Sequence, residues 1–99
     1  MVTEIAHLKI HPEQAGAFEA AVRQAQPLFQ QSKGCQSMKL ERVVEHAGDY
    51  HLVVRWQTLE DHTVGFRQSE QFAQWRALVS PYFREPPLVV HCEMALNLF

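Results

Sequence analysis

The chain has 99 residues, 46% of them hydrophobic and 20% charged, with nine Lys and Arg against eleven Asp and Glu for a net charge of −2. That is enough for one globular domain and too little for a dinucleotide-binding domain beside a substrate domain. No basic excess marks a nucleic-acid binder, and no apolar run nears the roughly 20 residues that span a bilayer, so neither nucleic acid nor membrane is expected as a partner.

The N-terminus, Met1-Val2-Thr3-Glu4, shows no basic stretch ahead of an apolar one, so no signal peptide is read. Cys35 and Cys92 stand far apart without CxxC spacing, which suits reduced thiols in a cytoplasmic protein. Residues 3–10 alternate as a strand, with Ala6, Leu8 and Ile10 on one side and Ile5, His7 and Lys9 on the other. Residues 12–31 carry Ala15, Phe18, Val22, Ala25 and Phe29 at helical spacing. Pro27 predicts a kink in that helix, and Gly34 supplies its stop.

Residues 36–45 and 49–57 read as two strands joined by a short turn containing Gly48, hence a hairpin. Thr58 can cap the next helix, with Glu60 and Asp61 in its first turn. Ser69-Glu70-Gln71-Phe72 looks like a second start, so helical pieces are expected at 59–67 and 70–79. Pro81 ends them, Pro86-Pro87 makes a rigid turn, and residues 88–96 form the last strand.

The order β-α-β-β-α-β is that of the ferredoxin-like split unit, an α+β fold with two helices on one face of a four-stranded antiparallel sheet. The expected strand order is 4-1-3-2. The other face, with Ile5, Val53 and Val89 among polar groups, lacks a cover inside one chain, and a homodimer joined sheet to sheet supplies it.

The four glycines build neither GxGxxG nor GxxxxGK[ST], and GxSxG and HExxH are absent. Strand parity puts His7, His51 and His91 on one face, and with Glu93 they make a ligand set that zinc or iron favours. A partly wet interface accounts for the same polar pattern, and no metal is assigned. A second cluster holds Trp56, His62 and Arg76, with Phe66, Phe72, Trp75, Tyr82 and Phe83 around them. Its make-up is that of a small-molecule pocket, while spacing alone favours a packed aromatic core.

The segment from Arg55 to His62, Arg-Trp-Gln-Thr-Leu-Glu-Asp-His, and the segment from Phe66 to Trp75 together resemble the antibiotic biosynthesis monooxygenase (ABM) family of the dimeric α/β-barrel superfamily. The shared pattern is a strand ending in Trp, a Ser or Thr cap with acids, and then Ser-x-x-Phe. Gly34-Cys35 fits the family's turn before the second strand, and the likeness runs over roughly residues 3–95, so one ABM-like domain is expected over 1–99. The resemblance implies a homodimeric barrel with a pocket in each subunit, between sheet and helices. It also implies that the chain is related to members that oxidise phenols, anthrones or quinols with O2 and no cofactor.

Under this resemblance Trp56 matches a pocket Trp, His62 stands at the spacing of a pocket Tyr, and Arg76 at that of a pocket Arg. Those three are the implied catalytic residues, His62 as base and Arg76 as holder of the anion. Phe66, Phe72, Trp75, Tyr82 and Phe83 are the implied substrate-binding residues. Leu52 stands where the anthrone-oxidising branch has Asn, so that particular reaction does not carry over. Arg76 also stands where the haem-degrading branch has its ligand His, so haem does not either. The expected function is a small cofactor-independent monooxygenase acting on an aromatic hydroxy or quinol-type compound with O2. The alternatives are a small-ligand isomerase, or a non-catalytic ligand-binding or stress-response module, on the same fold.

Overall fold

A computed structural model describes residues 1–99. β1 (Val2–Lys9) opens the chain and turns Glu4, Ala6 and Leu8 toward the helices, with Ile10 continuing the row just past its end. A short 3-10 turn, Pro12–Gln14, leads into α1 (Ala15–Gln24) and α2 (Gln26–Gln30). The kink expected at Pro27 is a break at Ala25, which lets Pro27 sit in the first turn of α2, where its missing N–H costs no hydrogen bond. Phe18, Ala21, Val22, Ala25 and Phe29 form the buried stripe of the two helices.

β2 (Cys35–Arg42) and β3 (Asp49–Trp56) pair as an antiparallel hairpin, so β2 ends three residues earlier than its alternation suggested. Two glycines hold the turns. Gly34 has φ +82°, and a Cβ there would run into the Asp61 carboxylate. Gly48 has φ +89°, and a Cβ there would run into the Ile10 carbonyl.

The second helical region begins where Thr58 Oγ1 accepts the Asp61 N–H at 3.1 Å. It continues as a π-helical turn, Asp61–Phe66, in which the Arg67 N–H reaches back five residues to the His62 carbonyl at 3.1 Å. α3 (Glu70–Val79) follows, its Ser69 cap accepting the Phe72 N–H at 3.2 Å. A 3-10 turn at Ser80–Tyr82 leads to β4 (Leu88–Cys92), which stops four residues short of the expected end.

The sheet order is β2-β3-β1-β4 with every neighbour antiparallel, the expected ferredoxin-like topology. The phase of β4 differs from expectation. Val89 pairs with Ala6 and His91 with Glu4, so both belong to the helix-facing side, and Leu88, Val90 and Cys92 take the open side. A slip of one residue exchanges the two faces of a strand. His7 and His51 do face each other across β1 and β3, with ring centroids 4.4 Å apart, but His91 lies on the opposite face and Glu93 lies beyond the strand. The three-histidine set proposed from parity therefore does not assemble.

Candidate functional site

One face of the sheet carries an acid in an otherwise apolar row. Glu4 shares the inward phase of Ala6, Leu8 and Ile10 and is only 5% exposed. β1 lies between β3 and β4, so Glu4 has Val54 beside it on one side and His91 on the other. Two residues on, at the end of β3, Trp56 is fully buried and its Nε1–H donates to Glu4 Oε1 at 3.0 Å.

The π-helical turn brings the remaining group. His62 and Phe66, four residues apart, both turn inward from it. A π-turn adds a residue to the helical repeat and so re-aims side chains, a device frequent at functional sites. The His62 ring stacks on Trp56 with centroids 5.2 Å apart and planes 20° apart. Its Nε2 lies 3.3 Å from Glu4 Oε1, and its Nδ1 lies 2.7 Å from His91 Nε2. Glu4, His62 and His91 are thus joined end to end, from the base of the core to the edge strand.

Burial governs the electrostatics. It pushes the Glu4 carboxyl up to about 7, against the opposing effects of the Trp56 hydrogen bond and the positive charge of Arg67. Burial, with Arg67 and His91 adding to it, pulls His62 down to about 4. His91 is lowered for the same reasons, burial first and Arg67 second. At neutral pH the His62 ring is therefore uncharged, and its 3.3 Å contact with Glu4 is a polar contact and not an ion pair.

That fixes the proton inventory. An ionised Glu4 only accepts, so His62 must donate from Nε2. His62 Nδ1 then accepts from His91 Nε2–H, and His91 Nδ1 carries a lone pair. With Glu4 protonated the chain reverses: the carboxyl donates, both rings carry hydrogen at Nδ1, and His91 presents N–H outward. No charge is created in either ring by the change.

Aromatic rings surround this chain. Phe66 lies 5.3 Å from Trp56, 5.5 Å from Phe72 and 4.8 Å from Phe29 between centroids, and Trp75 packs edge-on against Phe29 at 5.0 Å. Of the residues named from the sequence, Trp56, His62, Phe66 and Phe72 stand in contact, and Trp75 joins through Phe29. Arg76, Tyr82 and Phe83 do not. Arg76 is exposed, because Trp75 and Val79 set the buried side of α3 and the next residue is turned about 100° away. Tyr82 packs on Phe18, and Phe83 bridges Ile10. Six residues of strand, roughly 20 Å, separate Ile10 from Glu4.

Sequence reasoning passed over Glu4, Arg67 and the role of His91. The parity of β1 carries the signal for Glu4, an acid in phase with Ala6 and Leu8. Two open grooves of about 440 and 480 Å³ flank the molecule, the first along β2 and the second behind Phe66. Glu4, His62 and His91 line neither of them. No three His, Cys, Asp or Glu side chains are grouped so as to hold a metal ion.

The antibiotic biosynthesis monooxygenase family model matches residues 1–78. The chain is 41% identical over 91 residues to the uncharacterised protein YczJ of Bacillus subtilis, an alignment covering 92% of this chain and 96% of that one. A Bordetella bronchiseptica crystal structure carrying the same family description superposes with a TM-score of 0.93 at 44% identity, over 96% of this chain and 97% of that one. SnoaB of Streptomyces nogalater, a cofactor-independent oxygenase, has the same fold, with a TM-score of 0.80 at 14% identity over 98% and 95% of the two chains. No helix is long and apolar enough to cross a membrane.

Proposed function

The chain belongs to the antibiotic biosynthesis monooxygenase family, and we propose that it is a cofactor-independent monooxygenase oxidising an aromatic hydroxy or quinol-type compound with O2. The observation that carries this reading is the continuous chain Glu4–His62–His91 beside the stacked Trp56. Family membership and the cofactor-independent oxygenase of the same fold favour it further.

Oxygenation without a cofactor asks the substrate to supply the electrons. A base removes a phenolic proton, and the resulting anion is electron-rich enough to reduce O2. For a quinol, the overall change is quinol plus O2 to hydroxyquinone plus water, with all four electrons drawn from the quinol. The protein has three tasks: to take the proton, to stabilise the anion and to hold the ring away from water. A neutral histidine chain ending on a buried carboxylate performs the first. The Trp56 and Phe66 rings, with Phe72 and Trp75 next to them, supply the apolar surroundings.

Two further parts belong to the same reading. Ile5, Val53 and Val90 lie on the sheet face away from the helices, where a second copy of the chain would cover them. The free thiols of Cys35 and Cys92 fit a cytoplasmic setting.

The test is O2 uptake by metal-stripped protein over a panel of anthrones, quinols and naphthols. Turnover that survives chelation is expected. No uptake across the panel would overturn the reading. One other reading draws on the same chain of histidines: an isomerase needs a proton moved and nothing oxidised, and product formed equally fast under argon would favour it.

A further inference from the structure

His62 is poorly placed to meet a substrate. It is 2% exposed, its Nε2 points to Glu4 Oε1 at 3.3 Å and its Nδ1 is engaged by His91. His91 differs on each count. It lies on the edge strand β4, it is half-buried, and its Nε2 alone is engaged. No buried side-chain nitrogen or oxygen lacks a partner, so the unpartnered Nδ1 of His91 is an atom that solvent reaches.

Given the oxygenase reading, on which this inference rests, we propose that His91 is the catalytic base that meets the substrate hydroxyl at Nδ1, and that His62 passes the proton to Glu4. His62 and Glu4 are then positioning residues that act through His91.

The transfer moves three protons one place each. The substrate O–H breaks and His91 Nδ1 gains its proton. His91 Nε2 gives its own proton across 2.7 Å to His62 Nδ1. His62 Nε2 gives its proton across 3.3 Å to Glu4 Oε1, forming a carboxylic acid. Both rings end neutral, each in its other tautomer, and the negative charge has left the core for the substrate anion. The proton returns by the reverse path when the reduced oxygen needs it.

The charge of Arg67 suits this exchange. It acts on Glu4, His62 and His91 together, Arg67 is exposed, and no carboxylate pairs with it. A positive charge that lowers the Glu4 carboxyl also favours negative charge in the surroundings of the chain. The groups around Glu4 are Trp56 from β3, His62 from the π-turn, His91 from β4, the Cys35 thiol at the start of β2 and the Arg67 charge. Burial, with the Glu4 charge adding to it, pushes that thiol up to about 11, so it stays neutral while Glu4 titrates. Among these groups, Glu4 is the one that burial brings to about 7, while burial and the Arg67 charge hold both rings below their ordinary value.

The decisive experiment needs no substrate. Imidazole 15N NMR of the whole protein between pH 6 and 9 reports which nitrogen of each ring carries hydrogen. Both His62 and His91 are expected to hold it at Nε2 at high pH and at Nδ1 at low pH, switching together with one midpoint near 7. In Glu4→Gln the switch is expected to vanish. Independent titration of the two rings as imidazolium, or an unchanged switch in Glu4→Gln, would overturn the relay. In the activity arm, His91→Gln is expected to lower kcat/KM for O2 uptake about 100-fold or more, and wild-type kcat/KM is expected to rise with pH to a plateau through the same midpoint. A fully active His91→Gln would overturn His91 as the base. A joint tautomer switch without any O2 uptake would support the relay and count against the oxygenase reading alone.

Discussion

Glu4→Gln is expected to gain stability relative to the wild type as pH rises to 8, while losing activity. Burial raises the folded-state Glu4 carboxyl from 4.5 to about 7, so between those values the folded chain holds a proton that the unfolded chain has lost. Stability therefore falls as pH rises through that window. At about 1.4 kcal/mol per pH unit, an interval from 4.5 to about 7 costs about 3 kcal/mol by pH 8. His62 has the opposite sign. Its folded value is pulled from 6.5 to about 4, so below 6.5 the unfolded chain binds a proton that the folded chain refuses. Stability due to His62 is complete above pH 6.5 and is lost as pH falls toward 4.

The Glu4 and His62 slopes cancel between about pH 4.5 and 6.5 in the wild type, leaving the rise contributed by His91, which is also lowered. Gln keeps an oxygen acceptor for Trp56 and does not titrate, so the variant loses only the Glu4 slope. Urea unfolding at half-unit steps from pH 4.5 to 8.5 should show a wild type that rises gently up to pH 6.5, from His91, and then declines. The variant should climb more steeply to pH 6.5, by the added slope of His62, and then level off. Any constant offset between the proteins is immaterial, because the prediction concerns the difference gained with pH, about 3 kcal/mol in favour of Gln. A pH-independent difference, or a variant that loses ground as pH rises, would refute the reasoning.

Other perturbations separate the parts of the site. Trp56→Phe removes the donor that lowers the Glu4 carboxyl, so the midpoint of the pH–rate profile should move above 7. The lost hydrogen bond should also cost about 1–3 kcal/mol in urea unfolding, and an unmoved midpoint would contradict the assignment. Arg67→Ala removes a charge that lowers Glu4, His62 and His91, so the same midpoint should rise. Arg76→Ala, on the exposed side of α3, should change kcat/KM less than twofold (an order-of-magnitude bound for a surface side chain). Gly48→Ala should lower Tm by several degrees, about 1 kcal/mol or more, because φ is +89° and the new methyl meets the Ile10 carbonyl. An unchanged Tm there would count against the turn geometry.

The order of elements was readable because each carries its own local signal. Alternation marks β1 and β3, Ser69 and Thr58 cap the helical pieces, and Gly34 and Gly48 mark turns that only glycine tolerates. The break at Ala25 was legible through Pro27. The phase of β4 was not. A strand entered from Pro86-Pro87 has no turn of fixed geometry to set its register, and Leu-Val-Val-His-Cys is apolar on both phases. One residue of slip moved His91 from the open face to Glu4. For the same reason, a chain of polar contacts drawn from β1, β4 and a π-turn leaves no spacing motif to read. Its sequence trace is Glu4 alone, an acid at an inward position. The Trp56–His62 contact lay within reach because both flank the Thr58 cap, which folds one back onto the other. Arg76 was named from its spacing in the resemblance, and spacing does not register that Trp75 and Val79 fix the buried side of α3 and leave Arg76 exposed.

The central claim is that this chain adds an oxygen atom from O2 to an aromatic hydroxy compound without a cofactor. It is tested most directly by mass spectrometry of the product formed from a quinol substrate under 18O2 by chelator-treated protein. The account predicts one labelled oxygen in the hydroxyquinone and the other in water, with no product under argon. Unlabelled product, or the same product without O2, would contradict it.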